Sequence, residues 1–310
     1  MGLVLGDTTG RRIVVAAGLL VAGMAAAATP PPSPSFRDQS EVPLVLVPVT
    51  VRDGRGRMVS NLERERFRLF VDGIEFPIQS FWREGTLPVS YAFVLDVSGS
   101  MQGRRLAQAR EVVLGFLRQL GPEDEVTLIT FGAGKVIRHL PFGADLSLLP
   151  ELLESLRGYG TTALYDVLAA SPQVMEGARH LRRAIFFFTD GVDTASELKP
   201  SETIEVLQSL DDPLYVFGLE PPPVDDDDEE DSYEALLRRF AAASGGRYLA
   251  VPDAGQLPKM ANELRRELTM RYIIAFQPSG VGAVQWRMIR VGVRGPYQVS
   301  YRQGYRGTLP

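Results

Sequence analysis

The strongest constraint on the fold of this chain is the segment Tyr91–Ser100, in which an apolar run ends in a carboxylate and two hydroxyls. An uninterrupted apolar run of this length is typical of a parallel strand that is buried on both faces. Asp96, Ser98 and Ser100 then follow at every second position, and Gly99 lets the backbone curl so that the three side chains converge. The segment therefore predicts a buried strand with a cluster of oxygen donors at its end.

A second cluster of the same kind follows later in the chain. Another apolar run ends in Thr189 and Asp190, and Thr161 and Thr162 follow a glycine-rich turn. Hydroxyl and carboxylate oxygens are hard donors, which suit Mg²⁺, Mn²⁺ or Ca²⁺ and bind thiophilic metals poorly. We therefore expect a divalent cation at these strand ends, with Mg²⁺ first among the three ions. The candidate ligands are Asp96, Ser98, Ser100, Thr161, Thr162 and Asp190.

The hydrophobic pattern from Val89 to Met270 alternates between short apolar runs and segments with helical periodicity. Strands are predicted at Val89–Val97, Val126–Phe131, Val136–Leu140, Ala184–Thr189, Leu214–Gly218 and Arg247–Val251. Helices are predicted at Arg104–Leu120, Leu146–Leu156, Ala163–Met175, Pro200–Leu210, Tyr233–Ala243 and Gln256–Met270. Such alternation gives a doubly wound α/β fold, in which a mainly parallel sheet has helices on both faces. The binding crevice is expected at the carboxyl ends of the strands, where Asp96 and Asp190 fall.

Strand and turn patterns dominate residues 41–86 and 271–310, on either side of the predicted α/β domain at 87–270. The predicted strands are Val42–Val51, Phe67–Val71, Ile74–Trp82, Tyr272–Gln277, Gln285–Val293 and Gln298–Tyr301. Each segment is too short to bury a core alone, so we expect the two to pair as a small β-sandwich. Trp82 and Trp286 are expected in the core of that sandwich.

The first residues have the order of a secretory signal. Arg11 and Arg12 precede the apolar run Ile13–Ala28, which ends in an A-x-A cleavage pattern. The run has about sixteen residues, fewer than the roughly twenty that span a bilayer, which favours cleavage over anchoring. We predict a signal peptide at 1–28, a proline-rich linker at 29–40 and export to the periplasm or the cell exterior. The protein would be anchored to the membrane if the signal were retained, and no later segment predicts a stable transmembrane span.

Charge and composition exclude several classes of function. A net charge of −5 lacks the basic footprint that nucleic acid requires, so nucleic acid is not an expected partner. The chain has no cysteine, which excludes disulfides and thiol catalysis. His139 and His180, the two histidines, lack the context of a catalytic base. The acidic run Asp225–Asp231 lacks the glycine-spaced pattern of a calcium loop and is interpreted as a solvated segment.

Taken together, the three motifs resemble those of the von Willebrand factor type A domain. The resemblance rests on the D-x-S-x-S of Asp96, Ser98 and Ser100, the threonine after the glycine-rich turn, and the T-D-G at 189–191, and it covers about Pro88–Met270. In that family these residues form a metal-ion-dependent adhesion site. The resemblance therefore implies a cation with an open position that an acidic residue of a partner protein fills.

The threonine of the implied site has two candidates. Its distance from Gly160 favours Thr161, whereas its distance from Asp166 favours Thr162, and both are kept. The flanking β segments are also similar to those of exported bacterial proteins, common in acidobacteria, that carry a related form of this domain.

The leading hypothesis is an exported, non-enzymatic module that binds a protein partner. Because Asp96 supplies one negative charge and the hydroxyls none, the cation keeps positive charge that attracts an Asp or Glu of the partner. The alternative is a scaffold of an envelope complex in which the metal is structural. A metal-dependent phosphohydrolase with Asp96 as nucleophile is a weaker hypothesis, because Ser98 stands where such enzymes have a second aspartate and no general base is evident.

Overall fold

The computed structural model describes residues 44–83, 85, 88–220, 232–251, 256–278 and 286–306. The predicted signal peptide, the proline-rich linker and the acidic run lie outside the described residues. The strands are β1 Val45–Arg52, β2 Phe67–Val71, β3 Ile74–Phe76, β4 Ser80–Arg83, β5 Val89–Asp96, β6 Glu125–Gly132, β7 Lys135–Leu140, β8 Arg182–Thr189, β9 Leu214–Gly218, β10 Tyr248–Ala250, β11 Tyr272–Phe276, β12 Trp286–Val293, β13 Gln298–Tyr301 and β14 Gly304–Arg306. The α-helices are α1 Arg104–Leu117, α2 Leu149–Ser155, α3 Leu164–Ala169, α4 Ser171–Val174, α5 Pro200–Gln208, α6 Tyr233–Ala243 and α7 Leu257–Thr269.

A six-stranded sheet has the order β10-β9-β8-β5-β6-β7. Strand β5 pairs in parallel with both β6 and β8, and β9 continues the parallel sheet to β10. Strand β7 is antiparallel to β6, to which a tight turn joins it. Because β6 lies on one side of β5 and β8 returns on the other, the direction of winding reverses at β5. The predicted doubly wound α/β class is confirmed, and the crevice of such a sheet opens at the ends of β5 and β8.

Helices cover both faces of this sheet, so all eight residues of β5 are buried. Tyr91, Phe93 and Leu95 point to one face, where they pack in a cluster with residues of α1, α2 and α7. Ala92 and Val94 point to the other face and pack with α3, α5 and α6. A strand without a solvated face needs no polar alternation, which explains the continuous apolar run in the sequence.

Two further four-stranded sheets have the orders β13-β1-β11-β4 and β14-β12-β2-β3. Each sheet combines strands from both ends of the chain: β1 pairs with β11 and β13, and β2 pairs with β12, all antiparallel. Their side chains form a hydrophobic cluster separate from those of the parallel sheet. Its buried members include Val47, Leu69, Tyr272, Phe276 and Ile289. These strands therefore share one core although the parallel sheet separates them in sequence.

Ion pairs join these outer strands to the α/β region. Glu267 of α7 is 3% exposed and pairs with Arg52 of β1 and with Arg247, which precedes β10. Arg302, which follows β13, pairs with Asp211, which precedes β9. Removal of one partner would leave the buried charge of Glu267 or Arg302 without its counter-ion, which is destabilising.

Three sequence-based expectations were wrong. The segment Ile74–Trp82, predicted as one strand, forms β3 and β4 in different sheets, and Pro77 lies at the crossing. The helix predicted at Ala163–Met175 is divided into α3 and α4, because Pro172 has no N–H to continue the hydrogen-bond ladder. Trp82 is 42% exposed on β4 and is not a core residue, while Trp286 is partly buried.

Candidate functional site

The candidate site lies where β5 and β8 end side by side. Leu95 pairs with Phe188 in the parallel register, so the residues that follow them, Asp96 and Thr189, are neighbours. The Thr189 hydroxyl donates to Asp96 Oδ2 at 2.8 Å. Asp96, Thr189 and Asp190 are all fully buried. The reversal of winding thus brings two carboxylates from distant parts of the chain to one edge of the sheet.

Asp96 is a buried carboxylate whose two oxygens are both oriented by neighbours. Oδ1 accepts the backbone N–H of Ser98 at 2.8 Å, and Oδ2 accepts the Thr189 hydroxyl. Burial, opposed by these hydrogen bonds and reinforced by the charge of Asp190, raises the pKa of Asp96 to about 6. Each carboxylate oxygen keeps a further lone pair for another ligand. A carboxylate in this environment is stabilised in its charged form by any cation that comes close.

Ser98 and Ser100 flank Gly99 at the start of a single 3₁₀ turn that follows β5. Ser98 is 1% exposed and Ser100 is exposed, and their hydroxyl oxygens are 3.2 Å apart. Adjacent ligands of an octahedral ion with bonds of about 2.1 Å are roughly 3 Å apart. The spacing of these two hydroxyls therefore fits a shared small divalent cation.

The glycine-rich loop 158–162 is docked against the serine turn by its backbone. The N–H of Gly99 donates to the carbonyl of Gly160 at 3.0 Å. A Cβ on Gly158 would lie 2.7 Å from the carbonyl oxygen of Ser98, and Gly160 has a φ of +74°. Both positions require glycine, one for close approach and one for its left-handed backbone. The backbone that leads into the two threonines is thereby held against the serine turn.

Of the two threonines, Thr162 is buried and Thr161 is exposed. The N–H of Thr162 donates to Thr194 Oγ1 at 2.9 Å, and its carbonyl accepts the backbone N–H groups of Thr194 and Ala195, both at 2.9 Å. Thr194 lies in the loop that follows Asp190. The same loop therefore sets the positions of Asp190 and Thr162, which sequence reasoning did not foresee.

The loop after β8 also caps helix α3. Asp193 Oδ1 accepts the N–H of Leu164 at 2.8 Å and the hydroxyl of Ser196 at 2.5 Å. In return, Asp166 of α3 accepts the N–H of Leu198 at 2.9 Å. The partners are 29 and 32 positions apart, so the local capping pattern used to read helix ends in a sequence cannot detect them.

Arg105, the second residue of α1, contacts both strand-end clusters and was missed by the sequence analysis. Its Nη1 donates to Asp190 Oδ2 at 3.0 Å and to the carbonyl of Ser100 at 2.9 Å, and its Nη2 donates to the carbonyl of Glu220 at 2.9 Å. The other oxygen of Asp190 accepts the N–H of Val192 at 3.1 Å. The guanidinium therefore pairs with a fully buried carboxylate and ties it to the serine turn.

The two histidines have partners outside this cluster. His139 Nε2 lies 2.8 Å from the Thr130 hydroxyl, between β7 and β6, and burial lowers the pKa of His139. His180 Nε2 lies 2.9 Å from the carbonyl of Glu123. Among the described residues, no group of three or more His, Cys, Asp and Glu side chains is arranged to hold a metal. A cation at this site would therefore depend on the serine and threonine hydroxyls as well as on the two aspartates.

Residues 91–192 match the family model of the von Willebrand factor type A domain. This range contains the site residues described above, except Glu220, which is a partner of Arg105, and the part of the loop that follows Val192. Inter-alpha-trypsin inhibitor heavy chain H4 of Sus scrofa is 30% identical over 126 residues, which cover 37% of this chain and 14% of the relative. Heavy chain H3 of Rattus norvegicus is 29% identical over 148 residues, 43% of this chain and 16% of the relative. The matched region is thus a small part of the length of these curated relatives.

Solved structures give distant matches. An aerotolerance-related membrane protein from Bacteroides fragilis is 20% identical, with a TM-score of 0.46 over 58% of this chain and 98% of that chain. The PilB minor pilin from Streptococcus sanguinis is 16% identical, with a TM-score of 0.45 over 63% of each chain. Within the described part of this chain, no helix is both long and apolar enough to cross a membrane.

Proposed function

We propose that this chain, which carries a von Willebrand factor type A domain, is a protein-binding module that engages an acidic residue of its partner through a divalent cation. Asp96, Ser98, Ser100, Thr162 and Asp190 would hold the cation, with Mg²⁺ as the expected ion and Mn²⁺ or Ca²⁺ as substitutes. When bound, the cation would supply a positive, partly open coordination site for the carboxylate of the partner.

The observation that supports this proposal is that three loops that carry oxygen donors contact one another at one edge of the sheet. The Thr189 hydroxyl binds Asp96, the Ser98 and Ser100 hydroxyls are 3.2 Å apart, and Gly99 is bonded to the threonine loop through Gly160. The burial of Thr162 favours it over the exposed Thr161 as the threonine ligand. All of these donors are oxygens, as Mg²⁺ requires.

The residues of this chain would have different roles in such a site. The two buried aspartates supply negative charge, the hydroxyls supply neutral donors, and Ser100 lies at the exposed side where a partner would approach. Helix α1 begins just after the serine turn, and the N-terminal end of a helix adds partial positive charge near an incoming anion.

We further propose that the module acts by binding and is not an enzyme, and that it works outside the cytoplasm. Support for the first part comes from His139 and His180, whose ring nitrogens contact Thr130 and the Glu123 carbonyl and not the strand-end aspartates. Support for export is the order of basic, apolar and small residues in 1–28.

A cation titration tests the proposal on the purified full chain. We expect wild-type protein to bind Mn²⁺, measured by electron paramagnetic resonance of the free ion, and Ser100→Ala to bind it at least about tenfold more weakly, since one oxygen donor is lost. Ser147→Ala is the matched control, because Ser147 is also an exposed serine in a single 3₁₀ turn. Equal Mn²⁺ affinity in all three proteins would refute the site.

Partner capture tests the second half of the proposal. Envelope proteins that the immobilised chain retains with Mn²⁺ should be released by a chelator and should not be retained by Ser100→Ala, while Ser147→Ala should behave as wild type. Retention that is insensitive to the chelator would refute cation-mediated binding. If Asp96→Ala lowers the melting temperature strongly and leaves retention intact, the metal is structural and the scaffold alternative replaces the proposal.

A further inference from the structure

Arg105 occupies a position that its location in the helix does not favour. It lies in the first turn of α1, where the helix dipole stabilises acidic side chains and disfavours basic ones. That turn contains no acidic residue and has Arg104 beside Arg105. A basic side chain here needs compensation, and for Arg105 the compensation is the carboxylate of Asp190.

The Arg105–Asp190 pair is more constrained than an ordinary surface ion pair. Asp190 is fully buried, the Arg105 side chain is 25% exposed, and the guanidinium makes hydrogen bonds of 2.9 to 3.0 Å to three acceptors on different loops. The planar fork of arginine holds such a geometry with little further loss of freedom. Arg105 thus fixes the orientation of the Asp190 carboxylate and partly neutralises the charge of that carboxylate.

Arg104 provides the contrast. Its side chain is 74% exposed and pairs at 3.1 Å with the carboxylate of Glu220, which is 43% exposed. Exposed pairs of this kind contribute little to stability. The two neighbouring arginines therefore carry the same charge on the same helix turn, while only Arg105 pairs with a carboxylate of the candidate site.

We propose that Arg105 is the resident counter-ion of Asp190 and that it limits how much negative charge Asp190 gives to a cation at the site. The inference rests on the proposed function. With Asp190 partly neutralised by Arg105, a divalent cation is balanced mainly by Asp96 and keeps net positive charge. That charge is what an incoming carboxylate of the partner would neutralise. Arg105 thus weakens the binding of the cation alone and strengthens the binding of a carboxylate to the loaded site.

The first test is Mn²⁺ affinity in the full chain, with Arg105→Gln compared with Arg104→Gln. Freed from its counter-ion, Asp190 should bind the cation more strongly, and Arg105→Gln should bind Mn²⁺ about tenfold more tightly than wild type, as expected for one charge interaction at short range. Arg104→Gln should differ from wild type by less than about threefold, because its charge lies in solvent.

A double-variant comparison separates the pairing from general repulsion between Arg105 and the cation. In an Asp190→Asn background the proposed effect has no carboxylate to act on, so adding Arg105→Gln should change Mn²⁺ affinity by less than about threefold. The same gain in both backgrounds would mean that Arg105 acts only through its charge, and it would overturn the proposal.

The second test uses acetate as the smallest carboxylate probe. Because binding linkage is reciprocal, acetate at constant ionic strength should tighten Mn²⁺ binding to wild type more than chloride does, after correction for acetate bound to free Mn²⁺. The gain should be smaller in Arg105→Gln and unchanged in Arg104→Gln. An equal acetate effect in all three proteins would overturn the proposed role of Arg105 in carboxylate binding.

The counter-ion role is measured separately by melting in a chelator. Loss of one partner from a buried pair leaves an uncompensated charge, so Arg105→Gln should melt at a lower temperature than Arg104→Gln. Equal melting temperatures would refute the counter-ion role. If wild type and both arginine variants fail to bind Mn²⁺, the proposed function is wrong and this inference with it. If wild type, Arg105→Gln and Arg104→Gln bind Mn²⁺ with equal affinity, the inference alone is wrong.

Discussion

Gly160→Ala should open the contact that holds the threonine loop against the serine turn. Gly160 has a φ of +74°, and a Cβ at this position would lie 2.5 Å from the Cβ of Ala133 and 2.9 Å from its Cα. Carbon atoms in contact are about 3.5–4.0 Å apart, so the two loops must separate by at least roughly 1 Å. The variant therefore combines a strained backbone with a steric conflict.

The expected cost of Gly160→Ala has two parts. A left-handed backbone costs an alanine about 1–2 kcal/mol. Separation of the loops weakens two hydrogen bonds, from Ala133 N–H to the carbonyl of Thr161 at 2.8 Å and from Gly99 N–H to the carbonyl of Gly160 at 3.0 Å. At about 1 kcal/mol for each bond, the total loss in the free energy of unfolding is about 3–4 kcal/mol.

Gly134→Ala is the matched control for the backbone part. Gly134 has a φ of +70°, and a Cβ added there would meet no heavy atom within 4 Å, so its substitution costs only the dihedral strain of about 1–2 kcal/mol. Ala133→Gly removes the methyl group that conflicts with residue 160. Ala133 also has a positive φ, of 49°, so the substitution relieves about 1–2 kcal/mol of backbone strain in either background. Because it also removes the steric conflict, it should stabilise the Gly160→Ala background by about 1–2 kcal/mol more than it stabilises wild type.

Urea unfolding followed by circular dichroism measures these differences, and a Mn²⁺ titration measures the effect on the site. Displacement of Thr162 should weaken Mn²⁺ binding in Gly160→Ala and leave Gly134→Ala unchanged. The reasoning is wrong if Gly160→Ala loses no more stability than Gly134→Ala, or if Ala133→Gly stabilises both backgrounds equally.

Two further predictions concern Thr194, which holds the backbone of Thr162, and Asp212, which lies just before β9. Thr194→Ala removes the hydroxyl that accepts the Thr162 N–H and should lower the free energy of unfolding by about 1–2 kcal/mol, whereas Thr194→Ser should retain it, as urea unfolding of both would show. Equal losses would exclude the hydroxyl as the cause. Burial raises the pKa of Asp212 from 3.8 to about 6, so the folded state binds a proton in this interval that the unfolded state has released. This group therefore makes the stability of the fold decrease as pH rises from 3.8 to about 6. Across the same interval, the melting temperature of Asp212→Asn should decrease less than that of wild type. Parallel curves of melting temperature against pH for the two proteins would contradict this prediction.

The doubly wound sheet could be predicted because its signals are local. The apolar run Tyr91–Leu95 needs helices on both faces, and the alternation of strand and helix patterns requires parallel crossovers. The motifs then place Asp96 and Asp190 at the carboxyl ends of strands, and the structure shows that these strands, β5 and β8, are neighbours. The same local rules failed at Pro77 and at Pro172, where a proline divides a segment whose hydrophobic pattern is continuous.

The support of the candidate site could not be predicted, because it consists of contacts between residues far apart in the chain. Arg105 reaches Asp190 across 85 positions, and Thr162 is held by Thr194 across 32. Hydrogen bonds of this kind depend on how loops meet at the edge of the sheet, and no periodicity or spacing in the sequence encodes that meeting.

The amino-acid pattern alone was thus sufficient for the α/β class and for the types of oxygen donor at the strand ends, since both follow from hydrophobic periodicity and residue chemistry. Packing decided which of Thr161 and Thr162 is buried, which registers join β1 and β2 to the C-terminal strands, and which cationic side chain faces Asp190. These features depend on distances between segments, which are fixed only when the whole chain has folded.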